Sequence, residues 1–99
     1  MSEESIVRED FEISFDKAAK YVKNNSNLFE NDHKLKLYGL YKLSTVGKCN
    51  ICRPGGLLNW ERKEMWDNWN SLSEKNIKNP KKMYVDYLTS LVDDWDNQM

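Results

Sequence analysis

The apolar residues of this chain recur at intervals of three and four and nowhere alternate over a useful length, a spacing that commits it to helices. The pattern is densest near the C-terminus. Met83, Tyr84, Tyr87, Leu88, Leu91, Val92 and Trp95 form one face of 3.6 periodicity. Asn79-Pro80 ahead of them reads as an N-cap followed by proline at the first helical position, with Asn76 as a second candidate cap. The spacing predicts a helix over 80–94. Phe11, Phe15, Ala18 and Val22 form a second stripe, with Ala19 beside it, and predict a helix over 12–23. Asn24-Asn25-Ser26-Asn27 ends it, because these side chains compete for backbone hydrogen bonds. A third helix is expected over 32–45, capped by Asn31 or Asp32 and stopped by Gly47. A fourth, over 60–71, is capped by Asn59 and carries Trp66 and Trp69.

Four amphipathic helices and one long connection, residues 47–59 with the turn signal Arg53-Pro54-Gly55-Gly56, predict an all-α four-helix bundle. Ninety-nine residues make a single domain with a thin core and no room for a two-domain cleft. No apolar run reaches the length of a membrane span. The acidic start Met1-Ser2-Glu3-Glu4 is unlike a signal peptide, and two cysteines are too few for a disulfide scaffold. A reducing, cytoplasmic setting is therefore expected.

With 15 basic and 16 acidic residues the net charge is −1, which argues against nucleic acid as a partner. The balance hides an asymmetry: net −4 over residues 1–32, +6 over 33–63 and −3 over 64–99. A basic middle in an acidic chain points to a local anionic ligand, or to clustering by chance. Tyr38, Tyr41 and Lys42 meet on one helix face through i,i+3 and i,i+4 spacing. Phenols can stack on a purine and donate to phosphate, and a lysine supplies a mobile charge. On spacing alone, two core tyrosines beside a solvated lysine is the better reading. Cys49-Asn50-Ile51-Cys52 has CxxC spacing but no second ligand pair for zinc, so the thiols read as structural or incidental. His33 reads as an exposed first-turn residue. It lacks a neighbouring nucleophile, and no phosphate-cradling glycine motif occurs, so an enzyme is not expected.

Several segments in one order carry a resemblance. They are Phe15-Asp16-Lys17-Ala18-Ala19 with Val22-Lys23, then Leu37 to Gly47 (LYGLYKLSTVG), Asn50, Arg53-Pro54-Gly55, Lys63 to Asn70 (KEMWDNWN) and Met83-Tyr84-Val85. Together they resemble the acyl-CoA-binding protein family over about residues 13–95. The resemblance implies an up-down-down-up bundle, with residues 1–12 an N-terminal extension and 13–99 the acyl-CoA-binding domain. It implies a monomeric, non-enzymatic carrier of medium- to long-chain fatty acyl-CoA, without cofactor or metal and without stable membrane insertion. By position, Tyr38, Tyr41 and Lys42 would hold the adenine and the ribose 3′-phosphate, and Tyr84 would close over the ligand. Lys23 would lie at the rim, Ala19 and Leu35 would line the acyl slot, and Trp66 would pack beside the ligand. Two departures stand out. Glu61 and Met65 occupy positions where the family usually places lysines, and residues 53–59 are one residue longer than the common form. Helix geometry sets Arg62 and Glu61 one turn before Met65, so Arg62 is the nearest cation for a phosphate on that face. The alternative is a helical protein-interaction domain with a degraded ligand slot. An acyl-CoA hydrolase ranks below both, for want of a nucleophile–base pair.

Overall fold

The computed structural model describes the backbone of residues 3–98 and the side chains of residues 12–97. It folds as four helices, α1 Glu3–Asn24, α2 Asn31–Thr45, α3 Trp60–Ser73 and α4 Pro80–Leu91. Short 3-10 turns follow α1 at Ser26–Leu28 and α4 at Trp95–Gln98, and no strand occurs among the described residues. The chain is the four-helix bundle that the periodicity predicts. Its strongest helix pairs are α2 with α3, α2 with α4, and α1 with α4. The pair α1 with α2 is not among them, and this shapes the site.

The core collects one face of each helix. Phe15 and Ala18 come from α1, Leu37 and Leu40 from α2, Leu72 from α3, and Tyr84 and Leu88 from α4. Phe29, just ahead of α2, and Trp95 complete it. Phe11 lies outside the described side chains. Tyr21, a turn beyond Ala18, is as buried as Phe15 and pairs with Trp95 at 6.1 Å between ring centroids. That contact explains the end of α4. The apolar period continues to Trp95, but the helix stops at Leu91 and Val92 turns extended, with φ −139° and ψ 91°. Trp95 then folds back toward α1 and donates its indole N–H to Thr89 Oγ1 at 3.0 Å. Burying a large ring against Tyr21 outweighs one more helical turn. The start of α1 also differs from expectation, since the helix reaches back to Glu3 rather than beginning at Glu12.

Local signals succeeded where one side chain decides. Asn79 caps α4, its Oδ1 accepting from the Lys82 backbone N–H at 3.2 Å ahead of Pro80. Gly47 ends α2 with φ +103°, the left-handed region open to glycine. The other two expected caps differ. Glu30 holds the N-cap position of α2 without a side-chain bond. Asn59 holds that of α3, but its amide turns back to donate to Gly55 O at 2.9 Å. His33, expected in solvent, is half-buried and edge-on to the Tyr87 ring at 6.2 Å.

Residues 46–59 cross from α2 to α3 as a braced loop. The Cys49 N–H donates to the buried Ser73 Oγ at 2.8 Å, and Ser73 donates onward to Trp69 O at 2.7 Å. Trp66 Nε1 donates to Ile51 O at 2.9 Å, and Trp69 Nε1 to Gly47 O at 2.8 Å. Arg53 forks onto Asp67 with bonds of 2.9 and 3.0 Å, the bidentate geometry natural to a guanidinium and a carboxylate.

Helices α2 and α3 come into close contact at Gly39. A methyl group added there would lie 2.5 Å from Leu72 Cδ1 and 3.3 Å from the Asn68 carbonyl oxygen. Leu72 belongs to the core cluster, so its side chain and the Asn68 backbone would both have to give way. Overpacking of this kind costs about 1–3 kcal/mol, against roughly 1 kcal/mol recovered from alanine's better helix propensity. Gly39→Ala should therefore lower unfolding free energy by about 1 kcal/mol in urea titrations. An unchanged or raised midpoint would show that α3 shifts freely.

Candidate functional site

Where α1 and α2 would otherwise meet, a groove of about 660 Å³ opens between them. Ala19, Lys20, Val22 and Lys23 line it from α1, Leu37, Tyr38 and Tyr41 from α2, and Tyr84 from α4. An aromatic cluster holds it open. Phe15 and Tyr41 lie stacked at 6.0 Å between centroids, 19° from parallel. Tyr84 meets Phe15 edge-on at 5.2 Å and Tyr41 at 6.4 Å. Tyr84 is 2% exposed and Tyr41 41%, so the cluster runs from core to surface.

A second groove, of about 350 Å³, lies between α2, α3 and the braced loop. Its walls are Tyr38, Ile51, Pro54, Arg62, Met65, Trp66 and Trp69. Tyr38 lines both grooves, so a single ring is their shared wall. Lys42 sits beside this junction, its ammonium 4.8 Å over the Trp69 ring. A third, larger groove of about 860 Å³ runs between the start of α2, the end of α3 and the first half of α4. It contains none of the residues expected from the sequence to bind a ligand. Two of its lysines are engaged, Lys36 over the Tyr87 ring at 4.5 Å and Lys82 with Asp86 at 2.6 Å.

The structure thus brings Ala19, Lys23, Tyr38, Tyr41 and Tyr84 together in the first groove and Arg62, Met65 and Trp66 in the second, with Lys42 at the junction. Leu35 is half-buried on α2 and lines neither groove. Lys20, Ile51 and Pro54 are walls that sequence reading missed. Lys20 follows Ala19 on the same helix face as Lys23, which i,i+3 spacing could have found. Of the loop residues, Pro54 carried a turn signal but none for lining a groove, and Ile51 carried none, because bonds from α3 set the loop's path.

The two inner phenols are held neutral. Burial pushes the Tyr84 hydroxyl well above its ordinary pKa, and the neighbouring Tyr41 phenol adds to the shift. Burial also raises Tyr38, with Cys49 nearby contributing. A neutral phenol keeps its proton and can donate it in a hydrogen bond to an anion. Both Cys49 and Cys52 are free thiols, the first half-buried and the second exposed. Taken together, the grooves offer flat aromatic faces, phenolic donors and mobile cations above apolar floors. That combination suits an anionic amphiphile with a planar part.

The family model for acyl-CoA-binding protein matches residues 12–88. The chain is 30% identical over 95 residues to acyl-CoA-binding domain-containing protein 6 of Xenopus laevis, covering 96% of this chain but 33% of that protein. The chain therefore spans about a third of that relative's length. It is 35% identical over 86 residues to an acyl-CoA-binding protein of Ricinus communis, covering 87% of this chain and 90% of the relative. The crystal structure of acyl-CoA-binding protein 2 of Oryza sativa superposes with a TM-score of 0.74 at 28% identity, over 90% of this chain and 98% of that one. The chain belongs to the acyl-CoA-binding protein family.

The buried phenol gives the fold a pH signature. Above an ordinary phenol pKa near 10, unfolded chains ionise Tyr84 while the folded site resists, so unfolded protein binds fewer protons and stability falls as pH rises. Between about pH 9 and pH 11 the melting temperature should fall less steeply for Tyr84→Phe than for the parent. Parallel slopes would mean that Tyr84 ionises freely in the folded state.

Proposed function

We propose that this member of the family is a non-enzymatic carrier of medium- to long-chain fatty acyl-CoA. The observation that carries the reading is the pair of grooves sharing Tyr38, one rimmed by cations and phenols and the other walled by apolar and aromatic groups. The ligand would lie across both. Its multiply charged nucleotide belongs in the first groove, with Tyr38 and Tyr41 against the adenine and the ribose 3′-phosphate, Lys42 at the phosphate and Lys23 at the rim. Its chain belongs in the second, along Met65, Trp66 and Trp69. This differs from the placing expected for Ala19, because that residue shares its groove with Lys23 and the phenols. Met65 stands where the family usually has lysine. A soft, unbranched thioether in that place favours contact with the acyl carbons. Arg62 is left as the cation of that groove. These groups bind, orient and shield, and the proposed role requires no bond to change.

Three measurements test this. Each buried methylene contributes up to about 0.8 kcal/mol, so titration calorimetry should find palmitoyl-CoA bound far more tightly than free CoA. Equal affinities would end the carrier reading in favour of an interaction domain. Lys42→Ala should cost roughly 1.5–3 kcal/mol for every chain length and erase discrimination against 3′-dephospho ligand. Met65→Ala should cost about 1 kcal/mol for long-chain ligands and almost nothing for free CoA. An equal loss for free CoA at Met65 would move the acyl chain out of the second groove.

A further inference from the structure

The braced loop ends in a tip that nothing in the bundle covers. Leu57 is 95% exposed and Leu58 94%, and Trp60 beside them is 62% exposed. None of the three lines a groove. A slack loop could fold two leucines back onto protein, but this one is pinned on both sides of the tip. Arg53 is forked onto Asp67, Asn59 Nδ2 is bonded to Gly55 O, and Lys63 Nζ donates to Gly56 O at 2.6 Å. Gly56 takes φ +93°, a left-handed turn conformation that suits glycine. Consecutive apolar side chains held in water by an ordered scaffold mark a contact surface.

We propose that this tip is a docking surface for the interface of a phospholipid bilayer containing anionic lipid. The chemistry favours a bilayer. Leucines suit the acyl boundary, and an adjacent tryptophan suits the headgroup level, with its indole N–H in a polar layer. The flanking charge is complementary: Lys48, Arg53, Arg62 and Lys63 stand against Glu61 within residues 47–63, and Asp67 neutralises only Arg53. Such a segment is drawn to a negative surface within a Debye length. The tip is also continuous with the second groove, since Ile51, Pro54 and Arg62 line that groove from the same loop and the start of α3. Docking would set the groove's mouth at the layer where acyl chains partition. That benefit rests on the carrier reading, whereas the docking itself does not.

The test is co-sedimentation of the full chain with vesicles of phosphatidylcholine and phosphatidylserine, without acyl-CoA. The parent should pellet with the vesicles. Leu57→Ser combined with Leu58→Ser should lower the partition coefficient at least tenfold while leaving helical circular dichroism and melting unchanged. Brominated phosphatidylcholine should quench part of the parent's tryptophan emission, and Trp60→Phe should abolish that part. A parent that stays in the supernatant, or a double variant that pellets equally well, overturns the proposal. So does a parent that ignores vesicles but self-associates through the leucines, because the tip would then belong to a second copy. Palmitoyl-CoA titration in vesicle-free solution separates the two readings. Lost acyl-CoA binding with retained vesicle docking sinks the carrier alone, and the converse sinks the docking alone.

Discussion

The contact on which this bundle depends is the aromatic cluster of Phe15, Tyr41 and Tyr84, one ring from each of α1, α2 and α4. Such pairs contribute about 0.5–1.5 kcal/mol each beyond the area they bury. Their size matters as much as their energy. Three rings keep α1 and α2 from closing on each other, so both pack mainly on α4 or α3 and a groove remains between them. Stability and cavity come from the same side chains. A cluster of small aliphatic residues here would let the helices collapse and erase the site.

On the far side of α2 the construction is different. There Gly39 admits Leu72 and the Asn68 carbonyl at close range. The second groove is formed by a loop that α3 holds through its own side chains. Asp67, Trp66, Trp69 and Ser73 each bond a point on the crossing segment. Ser73, the one buried polar residue among those described, is satisfied as donor and acceptor at once, so its burial leaves no unpaired group. The loop's order is thus a tertiary property, built from indole, hydroxyl and carboxylate partners many residues away.

What could be read in advance follows from this division. The four helices were legible because their apolar faces are periodic, and the Asn79 cap because one side chain and the proline after it decide it. The end of α4 was not, because the spacing of Trp95 fits a continuing helix while its burial partner, Tyr21, lies on α1. The first groove was largely legible, since Tyr38, Tyr41, Tyr84, Ala19 and Lys23 belong to motifs with a family resemblance. Leu35 shared that resemblance but lines neither groove. The second groove was only half legible. Trp66 and Met65 follow from the family resemblance and its departures, and Arg62 from its helical spacing to Met65, whereas Ile51 and Pro54 reach the groove on a loop whose turn signal fixes a bend but not which wall it forms.

Tyr38 stands as the partition between the two grooves, and a partition made of one ring cannot serve two compartments independently. A change in the rotamer of that ring alters the walls of both grooves at once. For a ligand lying across both grooves, as proposed, the energetics of its two ends would be coupled through that one side chain. Contributions measured on separate fragments of such a ligand would then not add up to the affinity of the whole. A lineage that retuned one chamber by changing position 38 would retune the other with it, so selection for head and tail must proceed through the remaining walls.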